Sequence, residues 1–186
     1  AKRGITCRFG TSVSEIDRAA RLVQTDDGES HTYDKLILAT GSTPFIIPLP
    51  GHDLDGVIAY RDVEDTSRMM ALGAGQRAVV IGGGLLGLEA AAGMAARGAH
   101  VTVVHLMDHL MERQLDPEAG AMLAKSLEAK GIELRLGAQS KEILGEDGRV
   151  TGLALEDGTV LPCDLLVMAV GIRPNLALAK DAGLHA

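Results

Sequence analysis

The feature that most constrains this chain is a glycine pattern between a short apolar run and a helix-forming segment. Residues 78–81 favour a strand, Gly82-x-Gly84-x-x-Gly87 follows at once, and small apolar residues continue to Ala96. In this context Gly82 permits a tight turn, Gly84 lets a diphosphate approach the backbone, and Gly87 lets the helix pack closely. The pattern predicts a dinucleotide-binding loop. The alternative is a glycine-rich turn that only connects strand and helix.

The N–H groups at the start of this helix, together with its positive end, are expected to hold the diphosphate. The loop comprises Gly82, Gly83, Gly84, Leu85, Leu86 and Gly87.

The segments around the loop predict an α/β fold. Further strands are expected at residues 100–106, 132–136 and 165–170, and helices at 62–72, 85–96 and 116–130. The turn pairs Asp147-Gly148 and Asp157-Gly158 lie between apolar runs and predict a β-meander before the last strand. Aromatic residues make up only 2% while glycine is abundant, which suits helices packed on a parallel sheet through small side chains. The predicted fold is a Rossmann-like parallel sheet with a β-meander.

The N-terminal part has a different pattern. Apolar runs at residues 5–9, 21–24 and 35–39, separated by polar turns, predict a small antiparallel meander. Residues 43–55 hold several prolines, which exclude a long helix or a central strand there. We therefore expect a domain boundary within this segment.

Charge and cysteine content argue against several classes of function. The net charge of -7 spreads along the chain without a basic stripe, which argues against nucleic-acid binding. No apolar run approaches the roughly 20 residues of a membrane span, and the first residues lack a signal-peptide core. Cys7 and Cys163 lie far apart, and the histidines lack ligand-like spacing, so neither a redox dithiol nor a metal centre is expected. We expect a cytoplasmic protein whose chemistry belongs to cofactors.

Two further residues are candidates for contacts with a coenzyme. The acid that accepts the ribose hydroxyls of NAD usually ends the second strand, and His105 occupies that place. A neutral imidazole can bond a ribose hydroxyl and a protonated one can meet a 2′-phosphate, so NADH and NADPH both stay open. A solvent-facing strand end is the alternative for His105. Glu89 is expected to point toward the nicotinamide, although an acid early in a helix also suits the helix dipole.

Three motifs, in this order, resemble the pyridine nucleotide-disulphide oxidoreductase superfamily of flavoproteins. They are residues 33–44, 82–89 and 164–175, and the resemblance covers nearly the whole chain. It implies FAD-domain residues at 1–43, an NAD(P)-binding domain at 44–171, and the start of a return into the FAD domain at 172–186. The implied cofactors are NAD(P)H and FAD. The implied cofactor contacts besides the glycine loop are Ala39, Thr40, Gly41, Arg61, His105 and Gly171, with Glu89 near the reacting rings.

Within that superfamily, residues 60–65 and 110–116 most resemble the large subunits of assimilatory NAD(P)H nitrite reductases. That resemblance implies hydride transfer from NAD(P)H to FAD, with electrons passed onward to nitrite. It also implies that siroheme and an iron–sulphur cluster belong to regions outside this sequence. We therefore expect a piece of a longer enzyme that is inactive alone.

The expected partners of that enzyme are a small subunit or redox partner, or a second copy of the chain. Two alternatives stay open. One is a rubredoxin or ferredoxin reductase, and the other is a dinucleotide-binding module without catalysis.

Overall fold

The computed structural model describes residues 4–185, in which strands and helices alternate between residues 57 and 136. The strands are β1 (Val13–Asp17), β2 (Leu22–Thr25), β3 (Ser30–Thr32), β4 (Ser42–Pro44), β5 (Val57–Ala59), β6 (Arg77–Ile81), β7 (His100–His105), β8 (Ile132–Leu136), β9 (Ser140–Glu146), β10 (Arg149–Leu155), β11 (Val160–Pro162), β12 (Leu165–Met168) and β13 (Ile172–Pro174). The helices are α1 (Val63–Ala71), α2 (Leu85–Ala96), α3 (Pro117–Glu128) and α4 (Ala177–Asp181).

The chain divides into two compact units. The first consists of Ala1–Thr43 with Pro174–Ala186, and the second of Pro44–Arg173. The strands β4 and β13 pair in a two-stranded sheet. No helix among residues 4–185 has the length and hydropathy needed to span a membrane.

The second unit is built on a five-stranded parallel sheet. Its order is β5-β12-β6-β7-β8, so the chain runs outward from β6 to β8 and later returns to the other side of β6 with β12. This reversal of direction creates a switch point at the carboxyl ends of β6 and β12, the place where α/β proteins bind ligands. The α/β prediction is confirmed.

The two faces of this sheet are buried in different ways, because successive side chains of a strand point to opposite faces. Ala78 and Val80 of β6 join the core formed with α2, while Val79 and Ile81 join the core formed with the meander β9-β10-β11. A strand covered on both faces needs a continuous apolar run, which is what β6 has. The helices and the meander thereby fix the glycine loop at the end of β6.

The predicted helices and the hairpin at residues 147–148 are confirmed. Asp62 and Asp65 form a capping box at the start of α1. At α3, the N–H of Ala119 donates to the Asp116 carboxylate at 2.8 Å, and Pro117 occupies the first turn. The turn between β9 and β10 places residues 147 and 148 at φ values of 50° and 78°, as a two-residue hairpin turn requires.

The first unit contains the antiparallel sheet β1-β2-β3, but two of its predicted strands are wrong. Residues 5–9 and 35–39 are not strands, and the side chains of Phe9 and Ile37 are 89% and 87% exposed. The observed strands instead flank local turns; at one of them, the Glu29 N–H donates to the Asp27 carboxylate at 3.2 Å. An apolar run becomes a strand only when a neighbouring strand accepts its backbone hydrogen bonds. Among the described residues of this unit, the turns direct that pairing to β1, β2 and β3.

Candidate functional site

A cavity of about 940 Å³ opens at the carboxyl ends of β6, β7 and β12 in the second unit. Its walls come from six segments of the sequence. They are Phe45, Ile47 and Leu49; Ile81 to Leu86; Val104 to Met107; Glu112 to Gln114; residues 138–140; and Ala169 to Arg173. The glycine loop therefore lies in the wall of this cavity, at the switch point of the sheet.

Two glycines of the loop are needed because the strand and the helix approach so closely. Gly82 adopts a φ of +122°, and a Cβ there would overlap the backbone carbonyl of Ala169. A Cβ on Gly87 would overlap the carbonyl oxygen of Gly82. A larger residue at position 82 would push the end of β6 away from Ala169, and one at position 87 would push α2 away from the end of β6.

Gly84 is different, because a Cβ built on it meets nothing within 4 Å. Gly84 is also the N-cap residue of α2, and no side chain caps that end. The first N–H groups of a helix have no partner within the helix and carry partial positive charge. The loop therefore presents open space in front of an uncapped helix start, which is the geometry that a phosphate group fits.

Gly83 is held between two side chains, a constraint that the spacing pattern did not reveal. A Cβ on Gly83 would lie 2.7 Å from ring atoms of His105 and 2.8 Å from Cδ2 of Leu110. Its N–H donates to His105 Nδ1 at 3.0 Å, and its carbonyl accepts from the Met111 N–H at 3.0 Å. The segment after β7 therefore fixes the middle of the glycine loop.

The interpretation of His105 as a solvent-facing strand end is wrong. His105 is only 8% exposed, and both of its ring nitrogens have protein partners. Nδ1 accepts from Gly83, so Nε2 carries the proton and donates to Oε2 of Glu112 at 3.1 Å. The ring is therefore a neutral imidazole that links the loop to Glu112.

Glu112 was not a site candidate from the sequence, because it lies beyond the end of β7, where the ribose-binding acid is usual. Its side chain is 25% exposed and lines the cavity. Only the return of residues 106–116 over the glycine loop brings it next to His105.

A second histidine, His109, pairs with Asp108 in the same segment of residues 106–116. The Nδ1 atom of His109 lies 2.6 Å from a carboxylate oxygen of Asp108, and Nε2 lies 3.3 Å from the carbonyl of Leu115. The hydrogen bond to Asp108 raises the pKa of His109 above its usual value and lowers that of Asp108. No group of three His, Cys, Asp or Glu side chains suited to a metal ion is found among residues 4–185.

Of the other candidate residues in the second unit, Gly171 lines the cavity, whereas Glu89 and Arg61 are not among its lining residues. Gly171 lines it, with its carbonyl accepting from the Phe45 N–H at 2.9 Å, and the Arg173 guanidinium stacks 4.4 Å from the Phe45 ring. Glu89 is exposed on α2 and is not among the described lining residues. The exposed Arg61 donates its backbone N–H to Asp65 at 2.8 Å.

The candidates Ala39, Thr40 and Gly41 belong to the first unit, where all three are exposed. The Thr40 hydroxyl donates to the carbonyl of Asn175 at 2.7 Å, and the Asn175 amide returns a bond to the Thr40 carbonyl at 2.9 Å. The Asn175 N–H also donates to the carbonyl of Gly41 at 3.0 Å. These bonds join residues 40 and 41 to Asn175 within the first unit.

The sheet order and the glycine loop define a Rossmann-like α/β protein. The chain belongs to the pyridine nucleotide-disulphide oxidoreductase family, whose model matches residues 1–186. The family prediction made from the motifs is confirmed.

Two of the relatives identified by sequence are nitrite reductases. The chain is 51% identical over 174 residues to a NAD(P)H nitrite reductase of Bacillus subtilis (strain 168), covering 93% of this chain and 22% of that protein. It is 42% identical over 184 residues to the large subunit of a NAD(P)H nitrite reductase of Klebsiella oxytoca, covering 98% of this chain and 19% of the relative. The chain thus spans about a fifth of the length of these relatives.

A solved structure gives the same fold. The ferredoxin reductase for the CYP199A2 system from Rhodopseudomonas palustris superposes with a TM-score of 0.87 at 36% identity. The match covers 95% of this chain and 44% of that structure.

Proposed function

We propose that the second unit, Pro44–Arg173, binds a nicotinamide dinucleotide with its diphosphate on the glycine loop. The observation that carries this proposal is the open space in front of Gly84 at the uncapped start of α2, in the wall of a cavity of about 940 Å³. Backbone N–H groups and the helix dipole supply the attraction for the diphosphate. A dinucleotide crosses the switch point from one half of such a sheet to the other.

In this proposal the coenzyme supplies the hydride, and the protein residues bind and orient it. Gly82, Gly83, Gly84, Leu85, Leu86 and Gly87 form the diphosphate loop. Gly171 borders the cavity on the β12 side, and Glu89 stands on the exposed face of α2 as the candidate nearest the reacting rings.

For the whole protein we propose NAD(P)H-dependent reduction of FAD, followed by electron transfer that ends at nitrite. The support is the family membership and the 51% identity to a nitrite reductase. Ala39, Thr40, Gly41 and Arg61 are the proposed FAD contacts within this sequence. Siroheme and an iron–sulphur cluster would be held by other parts of the enzyme. The same proposal includes a cytoplasmic location and, as partners, a small subunit or redox partner, or a second copy of the chain.

A ferredoxin reductase is the second candidate, because the ferredoxin reductase from Rhodopseudomonas palustris has the same fold over 95% of this chain. The two candidates differ in the electron acceptor. With NADH and the full-length protein, nitrite consumption without added ferredoxin supports the first. NADH oxidation that starts only when ferredoxin is added supports the second.

The binding proposal is tested by isothermal titration calorimetry of the protein with NAD⁺ and NADP⁺. Gly84→Val fills the open space in front of the helix, so the affinity for the diphosphate should fall at least about tenfold, the factor that corresponds to roughly 1.4 kcal/mol. Gly93→Val is the matched control, because Gly93 is also open to solvent on α2 but lies outside the cavity. The control should bind like the wild type; equal binding by both variants would contradict the proposal.

A further inference from the structure

The geometry points to Glu112 as the residue that distinguishes NAD(H) from NADP(H), by accepting the hydroxyls of the adenosine ribose in place of an acid at the strand end. This inference rests on the proposed coenzyme site. It names a residue that lies seven positions past the place where the ribose-binding acid is usual.

His105 occupies the usual place but has no bonding capacity left for a coenzyme. Its Nδ1 accepts from the N–H of Gly83 at 3.0 Å, and its Nε2 faces Oε2 of Glu112 at 3.1 Å. A neutral imidazole has one donor and one acceptor, and both are engaged inside the protein. A direct bond from this ring to a ribose hydroxyl would require breaking one of them.

Glu112 has the capacity that His105 lacks. A carboxylate has about four lone-pair sites, and the Nε2 proton of His105 occupies one of them. The side chain is a quarter exposed and faces the same cavity as Gly84. Two vicinal hydroxyls can donate to such a carboxylate, and bonds of this kind to an ionised acceptor are stronger than neutral ones.

A 2′-phosphate at the same place would bring a second negative charge against Glu112. That repulsion disfavours NADP(H), since like charges in contact destabilise a complex. The cation beside it is Arg113, whose Nε lies 4.0 Å from Glu112 Oε1 and whose side chain is 87% exposed. Because that guanidinium is well solvated, its attraction for a phosphate is screened more than the repulsion from the partly buried carboxylate.

His105 sets the orientation of Glu112 rather than touching the ribose. The buried ring is fixed by the backbone of Gly83, and it in turn fixes the carboxylate. The same backbone belongs to the diphosphate loop, so the ribose acceptor and the diphosphate donors are parts of one hydrogen-bonded unit. This arrangement explains how a histidine at the end of β7 remains compatible with a preference for NAD(H).

The test is calorimetric binding of NAD⁺ and NADP⁺ to the full-length protein with its flavin oxidised, so that no hydride is transferred. The wild type should bind NAD⁺ at least about tenfold more tightly than NADP⁺. Glu112→Gln keeps the shape and an acceptor for His105 but removes the charge. It should weaken NAD⁺ binding and bring the two affinities within about threefold of each other.

Glu118→Gln is the matched control, because Glu118 is an exposed acid on the first turn of α3 outside the cavity wall. It should leave both affinities unchanged. If Glu112→Gln keeps the wild-type ratio, or if the wild type prefers NADP⁺, the inference is overturned while the coenzyme site stands. If the wild type binds neither coenzyme, the proposed function fails and the inference fails with it.

Discussion

Replacing Gly83 with alanine should destabilise the protein, because this glycine is closed in on both sides. The added Cβ would lie 2.7 Å from two ring atoms of His105 and 2.8 Å from Cδ2 of Leu110. Leu110 is fully buried and His105 is 8% exposed, so neither side chain can swing into solvent without breaking other contacts. The substitution must therefore shift packed groups.

The cost follows from three contributions. Overpacking of a filled site costs about 1–3 kcal/mol. Displacing the His105 ring also weakens its bonds to Gly83 and Glu112, at about 1 kcal/mol each. Alanine returns about 0.4–1 kcal/mol by restricting the unfolded chain. The free energy of unfolding should fall by about 2–4 kcal/mol, or ~5–15 °C in melting temperature.

The assay is urea unfolding followed by circular dichroism, with Gly84→Ala as the control. Gly84 is the next residue, its φ is −86°, and its Cβ position is empty, so the control should stay within about 0.5 kcal/mol of wild type. If Gly83→Ala were as stable as Gly84→Ala, the argument that His105 and Leu110 confine the loop would be wrong.

Two further predictions concern titratable groups. Burial raises the pKa of the Cys163 thiol to about 12. At pH 8, iodoacetamide should therefore modify the exposed Cys7 and reach Cys163 only after unfolding, and peptide mass spectrometry would measure both. Early labelling of Cys163 would contradict its burial. The hydrogen bond that the His109 ring donates to the Asp108 carboxylate raises the pKa of His109. The stabilisation from this pair is therefore full below the unfolded pKa of about 6.5 and is lost as pH rises through the folded pKa. Asp108→Asn should lower the NMR titration midpoint of His109, and an unchanged midpoint would refute the pairing.

The regular elements of the second unit could be predicted because their signals are local. The start of α3 is an example: Asp116 and Pro117 lie next to each other in sequence, and the cap involves the Ala119 N–H three residues on. The hairpin at residues 147–148 is likewise encoded by two adjacent residues with positive φ. Such interactions form within one turn of the chain, so their pattern is visible in the sequence.

Strands without such signals could not be predicted in the same way. The edge strand β5 has three residues, and its partner β12 comes much later in the chain. The opposite error occurred at residues 35–39, where an apolar run is present but no ladder forms among the described residues. Whether a backbone segment is a strand depends on the strand beside it, and pairing partners far along the chain leave no local trace.

By itself the sequence determined the α/β class, the family and the position of the glycine loop, since these depend on periodicity and on residues close together in the chain. Only the tertiary structure decided the environment of that loop. His105, Leu110 and Glu112 meet Gly83 and the cavity because the segment after β7 folds back over the loop. Spacing along the chain does not encode that return; it is set by the packing of α3 and the sheet.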